Sequence, residues 1–220
     1  MTEPVGILIP SLDRPQNLRK LIKNIHETAG YPHKLHFCVS DKKSMNILVK
    51  LQEDFIIDDG GEEATFANRV NYLYSETDER LFYFCGDDDS HYPGWLATMM
   101  SCLQDGIDVV VAKCNHVTLQ RRSYIEQRSG CVDTPNVVCY PGYKHNFVEV
   151  EYICTANMRR VATWCPVETV EHHRWRDDGT DCFAKAKYDD TYARGDAGWE
   201  HDLAVFNDRE HRLFPGARYW

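Results

Sequence analysis

The sequence predicts an α/β protein, with a mostly parallel sheet and helices on both of its faces. Three observations carry that prediction. Apolar runs of strand length alternate with segments whose apolar positions fall at helical spacing, from the first residues to about residue 112. At 220 residues the chain can bury a substantial core within one domain. No repeat recurs at a fixed period, which excludes a solenoid.

"VGILIP" is an apolar run too short for a typical helix. A polar turn follows it, then Leu18, Leu21, Ile22 and Ile25 at helical spacing, so the chain opens strand, loop, helix. "KLHFCVSD" is a strand ending at Asp41, "KSMNILVKLQ" a short helix, "FIIDD" a strand and "EEATFANRVNYLYSE" a helix. "RLFYFCGDDD" is a strand, "PGWLATMMSCLQ" a helix with Pro93 near its first turn, and "IDVVVAKC" another buried strand. From about Cys114 to Lys144 the periodicity fades, and a long surface excursion is expected there. "HNFVEVEYICTANM" resumes strand-like alternation, and "DLAVFNDREHRLF" reads as a helix running into a short strand. The expectation is one domain over residues 1–220, with labour divided between residues 1–112 and 113–220.

Composition narrows the function classes. A net charge of -9 argues against broad attraction to a nucleic-acid backbone. One local basic and aromatic cluster stands out, Arg121, Arg122 and Arg128 with Tyr124. The nine cysteines, an odd number, are scattered without a C-x-x-C pair, which favours reduced thiols over disulfides or a zinc site. No stretch approaches the roughly 20 apolar residues of a membrane span. The start, "MTEPVGILIPSLDRP", lacks the basic region of a signal peptide, so a soluble cytoplasmic protein is expected.

In an α/β sheet, ligands collect at the carboxyl ends of the strands, where strand order reverses. Pro10 to Pro15, Asp41 and Asp87 to Asp89 are all expected there. An Asp-x-Asp at a strand end lets two carboxylates reach one hard divalent cation, which keeps further positions for substrate phosphates. The plainer alternative is an Asp-rich turn capping the next helix. A calcium EF-hand is disfavoured, because counting from Asp87 puts Tyr92 where Gly is needed and Thr98 where Glu is needed.

Three stretches, "ILIPSLDRPQNLRKLIKNI", "FANRVNYLY" and "FYFCGDDDSHYPGWL", in this order, resemble the GT-A (Rossmann-like) glycosyltransferases, especially the family-2 type. The resemblance covers roughly residues 5 to 112. It implies a nucleotide-diphosphate-sugar donor bound by residues 1–112, an acceptor-side region in residues 113–220, and Mn2+ or Mg2+ at a D-x-D motif. Carried over by position, Pro10, Ser11, Asp13 and Arg14 look like the donor loop, Asp41 a nucleobase contact, and Asn68 and Arg69 the helix facing the donor. Asp87, Asp88 and Asp89 look like the D-x-D stretch, with Asp87 and Asp89 as its metal pair.

"YDDTYARGDAGWEHDL" is similar to the family's acceptor-side helix, which supplies the general base of inverting enzymes. Such a base takes the acceptor hydroxyl's proton as it attacks. Glu200 and Asp202 are the candidates, and an alternative alignment puts the role at Asp177, Asp178 or Asp181. His211 stands as a further metal ligand by the same resemblance, while adjacent His172 and His173, without matching partners, rank below it. Tyr92 with Trp95, and Trp199, offer aromatic faces for a sugar, against the commoner fate of core packing.

The leading expectation is a metal-dependent, inverting glycosyltransferase whose acceptor hydroxyl lies on a glycan precursor, a protein, a small molecule or a hydroxymethylated base in DNA. A nucleotidyltransferase shares the layout but calls for a Gly-rich basic loop after the first strand, which "PSLDRPQN" is not. A non-catalytic nucleotide-sugar-binding module is the third reading.

Overall fold

The computed structural model describes residues 2–11, 14–57, 64–172 and 189–219. In chain order the first elements are β1 (Val5–Pro10), α1 (Pro15–Thr28), β2 (His33–Val39), α2 (Lys42–Leu51), β3 (Asp54–Ile57) and α3 (Phe66–Ser75). Then come β4 (Leu81–Phe84), β5 (Asp89–His91), α4 (Trp95–Cys102), β6 (Val109–Val111), β7 (Thr118–Arg121) and α5 (Arg122–Arg128). The last are α6 (Val148–Met158), β8 (Ala162–Trp164), β9 (Val170–His172), α7 (Asp190–His211) and α8 (Leu213–Gly216), which runs into a 3-10 turn.

Seven strands form one mixed sheet in the order β3-β2-β1-β4-β7-β6-β8. All its pairings are parallel except those of β7, which runs antiparallel to both β4 and β6. Side chains alternate across a strand, so each strand feeds two cores. Val5, Ile7 and Ile9 of β1 pack with Leu18, Leu21 and Ile25 of α1 and with Leu96 and Met99 of α4. Leu8, between them, joins Val70 and Leu73 of α3 and Tyr152 and Ala156 of α6 on the opposite face. α1 starts with Pro15 in its first turn, where a missing N–H costs nothing, and α3 starts at Thr65, whose Oγ1 accepts from Asn68 N at 3.2 Å.

The sequence expectation fails in three places. The stretch expected as a surface excursion contributes β7 to the centre of the sheet, and α5 after it buries Tyr124 and Ile125. "HNFVEVEYICTANM" is helical, not extended: Val148, Glu151, Tyr152, Thr155 and Ala156 are buried at spacings of three and four, a period hidden by the local Val-Glu-Val-Glu alternation. After α7 the chain makes a short helical turn where a strand was expected.

Part of the basic cluster has structural partners. Arg122 donates to the carbonyls of Glu79 (2.8 Å) and Tyr74 (3.1 Å), Arg121 to those of Ile107 (3.1 Å) and Leu103 (3.2 Å), and Tyr124 is buried. These side chains tie β7 and α5 to the domain. The described cysteines are free thiols. No described helix is long and apolar enough to cross a membrane.

Candidate functional site

Strand order reverses between β1 and β4, and the crevice at their carboxyl ends is the expected place for a ligand. A cavity of about 620 Å3 opens there. Pro10, Arg14 and Arg69 line one side, Asp87, Asp88, His116 and His172 the floor, and the start of α6 with one face of α7 the other side.

β4 ends at Phe84, and the chain turns through Gly86–Asp88 before Asp89 begins β5. Asp87 and Asp88 face one way. Ser11 Oγ donates to Asp87 Oδ2 at 2.7 Å, and Arg14 Nη1 reaches Asp87 Oδ1 at 3.3 Å and Asp88 Oδ2 at 3.0 Å. The same guanidinium donates to Asp189 through Nε (2.8 Å) and Nη2 (3.1 Å), and lies 4.4 Å from the Tyr192 ring centre. Burial would lower the Arg14 pKa, but Asp87, Asp189 and Asp88 outweigh it and keep the group charged. Burial raises the Asp87 carboxyl above its ordinary range, and Arg14 opposes that rise.

Asp89 faces the other way and is fully buried. Its Oδ2 accepts from Gly86 N at 2.9 Å, while Oδ1 meets His116 Nε2 at 2.7 Å and His172 Nδ1 at 2.9 Å. The small second sheet explains the second contact, since β5 and β9 pair antiparallel with Asp89 directly opposite His172. Asn24 of α1 pins β5 by accepting from His91 N (2.7 Å) and donating to His91 O (3.1 Å). Burial alone would raise the Asp89 carboxyl, but His116 and His172 hold it well below the usual range. His116 responds in kind: burial lowers its pKa, and Asp89 more than reverses that.

Three ligand atoms, one each from Asp89, His116 and His172, lie within 4.8 Å of one another. The Cys114 carbonyl, 3.2 Å from His116 Nδ1, can only accept, so Nδ1 carries a proton; the charged ring donates its second proton from Nε2 to Asp89, and loss of that proton would free an Nε2 lone pair for a cation. An imidazole lone pair and a carboxylate lone pair at 2.7 Å need a proton or a cation between them. The donor set of two imidazoles and one carboxylate therefore fits a divalent ion with open positions.

The opposite wall is set by Asp202. This fully buried carboxylate on α7 accepts from three consecutive backbone N–H groups, Lys144 (2.8 Å), His145 (2.9 Å) and Asn146 (2.7 Å). Asn146 Nδ2 donates to Gly195 O at 2.9 Å, and a side chain at Gly195 would put its Cβ 2.8 Å from the His145 ring. The bare helix surface thus lets His145 approach, and burial lowers the pKa of that imidazole. Phe147, Glu149, Asp196 and Trp199 complete this wall.

The sequence-predicted residues divide accordingly. Pro10, Ser11, Arg14, Asp87, Asp88 and Asp89 are brought together, and Arg69 joins them by donating to Ser11 O at 2.6 Å. Asn68 is half-buried in the first turn of α3. Asp41 caps α2, accepting from Ser44 N at 2.8 Å and from Ser44 Oγ. Glu200 is exposed on α7 and does not line the cavity. Asp13, Asp177, Asp178, Asp181 and His173 lie outside the described residues.

His211 is exposed in the last turn of α7. It lies 20 residues beyond cavity-lining Thr191, about 30 Å along the helix, too far to join Asp89. The structure instead places His116 and His172 at Asp89. His116 carries no local sequence signal, because only the fold brings it to Asp89; His172 became readable once β9 was paired with β5. His145, Glu149, Asp189, Tyr192 and Asp196 were likewise missed.

The sequence pattern of glycosyl transferase family 2 matches residues 6–160. No curated protein matches the chain in sequence. Among solved structures, a mannosyltransferase from Pyrobaculum calidifontis, in complex with GDP-Man and Mn2+, superposes with TM-score 0.62 at 11% identity, covering 80% of this chain and 59% of that one. Glucosyl-3-phosphoglycerate synthase from Mycobacterium tuberculosis, in complex with Mn2+, UDP and glucosyl-3-phosphoglycerate, gives 0.60 at 10% identity over 80% of this chain and 74% of that one. S. aureus TarS in complex with UDP gives 0.61 at 8% identity over 76% and 59%. At these identities the likeness is one of fold, and the chain spans about three fifths of the mannosyltransferase's length.

Proposed function

The chain belongs to glycosyl transferase family 2, and from that premise we propose that it moves a sugar from a nucleotide-diphosphate-sugar donor onto an acceptor hydroxyl, with inversion. The observation that carries the reading is the convergence of Asp89, His116 and His172 at the switch-point cavity, beside Arg14, Asp87 and Asp88. A divalent cation such as Mn2+ or Mg2+, held by those three, would supply neutralisation of the donor diphosphate as it departs. Two solved proteins of like fold carry Mn2+ with a nucleotide or nucleotide sugar, which supports the same reading.

Residues 1–112 bind the donor, with His116 and His172 from the second half completing the cation site. Arg69 fixes the carbonyl of Ser11, Ser11 and Arg14 fix Asp87, and Arg14 also orients Asp88, so Ser11 and Arg14 are tied to the turn after β4 in one edge. Residues 113–220 bind the acceptor. An inverting transfer needs a carboxylate that meets the acceptor hydroxyl. Asp202 is spent on the Lys144–Asn146 turn and Glu200 lies off the cavity, whereas Asp196, on the same helix, lines it. We assign the base to Asp196.

The test is a panel of nucleotide sugars incubated with Mn2+, reading released nucleoside diphosphate in wild type and Asp89→Ala. Turnover is expected in wild type and lost in the variant and with a chelator. Turnover surviving both, or release of pyrophosphate instead, overturns the proposal.

A further inference from the structure

We propose that Trp199 and Phe147 form a shelf for the ring of a neutral carbohydrate acceptor, with Glu149 accepting hydrogen bonds from its hydroxyls. This rests on the glycosyl-transfer reading above and names the substrate class of the same cavity. Trp199 is 48% exposed on the cavity wall, an unusual degree for a tryptophan that is also anchored. Its ring packs 4.9 Å from that of Phe147, which stacks on Phe206 at 5.1 Å, which in turn meets buried Phe214 at 5.5 Å. The column fixes one side of the shelf from behind and leaves the other side open to a ligand. An aromatic surface of this kind is apolar in its body and suits the C–H face of a sugar ring.

The backbone holds the shelf at a cost. Phe147 has φ 63, the left-handed region that a bulky residue rarely adopts, at the point where the chain enters α6. The turn bound by Asp202 ends at Asn146, one residue before it, so the clamp delivers the Phe147 ring to the cavity. Glu149 lies two residues further on, in the first turn of α6.

Position and charge select the occupant. The Tyr192 hydroxyl reaches Asp88 at 3.4 Å, and Trp199 lies two turns further along α7, about 10 Å in axial distance. A ring on the shelf can therefore extend a hydroxyl past Asp196 toward the donor. Glu149 and Asp196 make this wall acidic, and the chain carries a net charge of -9. Both repel a phosphate-rich acceptor and leave an uncharged polyhydroxyl one unopposed.

Calorimetric titration of simple methyl glycosides and neutral disaccharides into the full chain, without donor, tests the shelf apart from the transfer reaction. Saturable binding is expected, weakened about tenfold in Trp199→Ala and partly restored in Trp199→Phe. In the coupled assay, Trp199→Ala is expected to raise the acceptor KM by about the same factor with a much smaller change in kcat. Glycoside binding that is equally strong in wild type and Trp199→Ala overturns the shelf, as does binding confined to phosphorylated sugars or hydroxymethylated DNA. Glycoside binding without any donor turnover instead leaves the shelf standing and sinks the glycosyl-transfer reading.

Discussion

Two arginines in this protein are built into nearly the same chemistry and serve opposite ends. Arg14 is buried among Asp87, Asp88 and Asp189 with the Tyr192 ring against it; Arg209 is buried among Asp133 and Glu151, with its guanidinium 3.5 Å from the Tyr140 ring centre. Around Arg209 every carboxylate oxygen has a protein donor. Arg209 supplies Nε, Nη1 and Nη2, the Tyr143 hydroxyl gives Glu151 a bond at 2.7 Å, and the Cys131 thiol gives Asp133 one at 2.9 Å. That cluster lies away from the cavity and joins α7 to α6 and the loop before it. The Arg14 cluster lines the cavity, and its neighbour Asp89 gathers His116 and His172, so that one ligand atom from each of the three lies within 4.8 Å of the others. Gathered carboxylates alone do not mark a site. Imidazole and carboxylate ligand atoms converging next to open volume do.

The sharpest way to separate strut from site is to remove each cation or ligand in turn. Arg209→Met leaves Glu151, itself 2% exposed, as a buried charge without its partner, and should cost about 3–5 kcal/mol of stability. Urea unfolding reads the loss, and the folded fraction should keep its donor KM. A variant that stays stable but loses donor binding would show that the two clusters are not distinct in role.

Asp89→Asn makes the converse case. Loss of the buried ligand should lower metal-dependent turnover by about a hundredfold to a thousandfold, of the order seen when a pre-organised electrostatic group is removed. Mn2+ binding by calorimetry should fall with it, while the urea midpoint moves less than in Arg209→Met. Unchanged Mn2+ affinity would move the metal elsewhere.

These two sites were not equally readable in the sequence. Three consecutive aspartates after an apolar run, with "PSLDRP" after an earlier one, made this edge of the cavity visible because both lie beside strand ends. The first four strands and α1 to α4 were visible for a related reason: their periods are local. His116 and His172 were not, because they reach Asp89 from 27 and 83 residues away through β7 and the β5–β9 pairing. α6 was hidden by a Val-Glu-Val-Glu run that satisfies a period of two as well as the helical one. Asp202 was readable as an acid near a helix start, but its partners are backbone amides some 56 to 58 residues upstream.

The ligand set also orders the metals. Two imidazoles and one carboxylate favour Mn2+, Co2+ or Zn2+ over Mg2+, whose preference is for oxygen. Stripping the protein with a chelator and restoring single ions should give Kd values at least about tenfold tighter for Mn2+ than for Mg2+. His172→Asp should narrow that gap by replacing a nitrogen donor with oxygen. Equal affinity for both ions in wild type would mean that the histidines do not ligate.

The smallest effect concerns pH at the strut. Hydrogen bonds from Arg209, set against partial burial, hold the Asp133 carboxyl down at about 2. A carboxyl depressed in the folded state adds stability that is complete above its unfolded value, about 4, and fades as pH falls through the folded one. Wild type should therefore exceed Asp133→Asn in urea midpoint at pH 5 to 7, and the difference should close between about pH 4 and pH 2. The side chain is 37% exposed, so solvent screens the interaction and the gap should be modest. Arg209 stays charged throughout this range and Glu151 is common to both proteins, so the closing difference isolates Asp133. A gap as wide at pH 2 as at pH 6 would mean that Asp133 contributes shape to the strut and not charge.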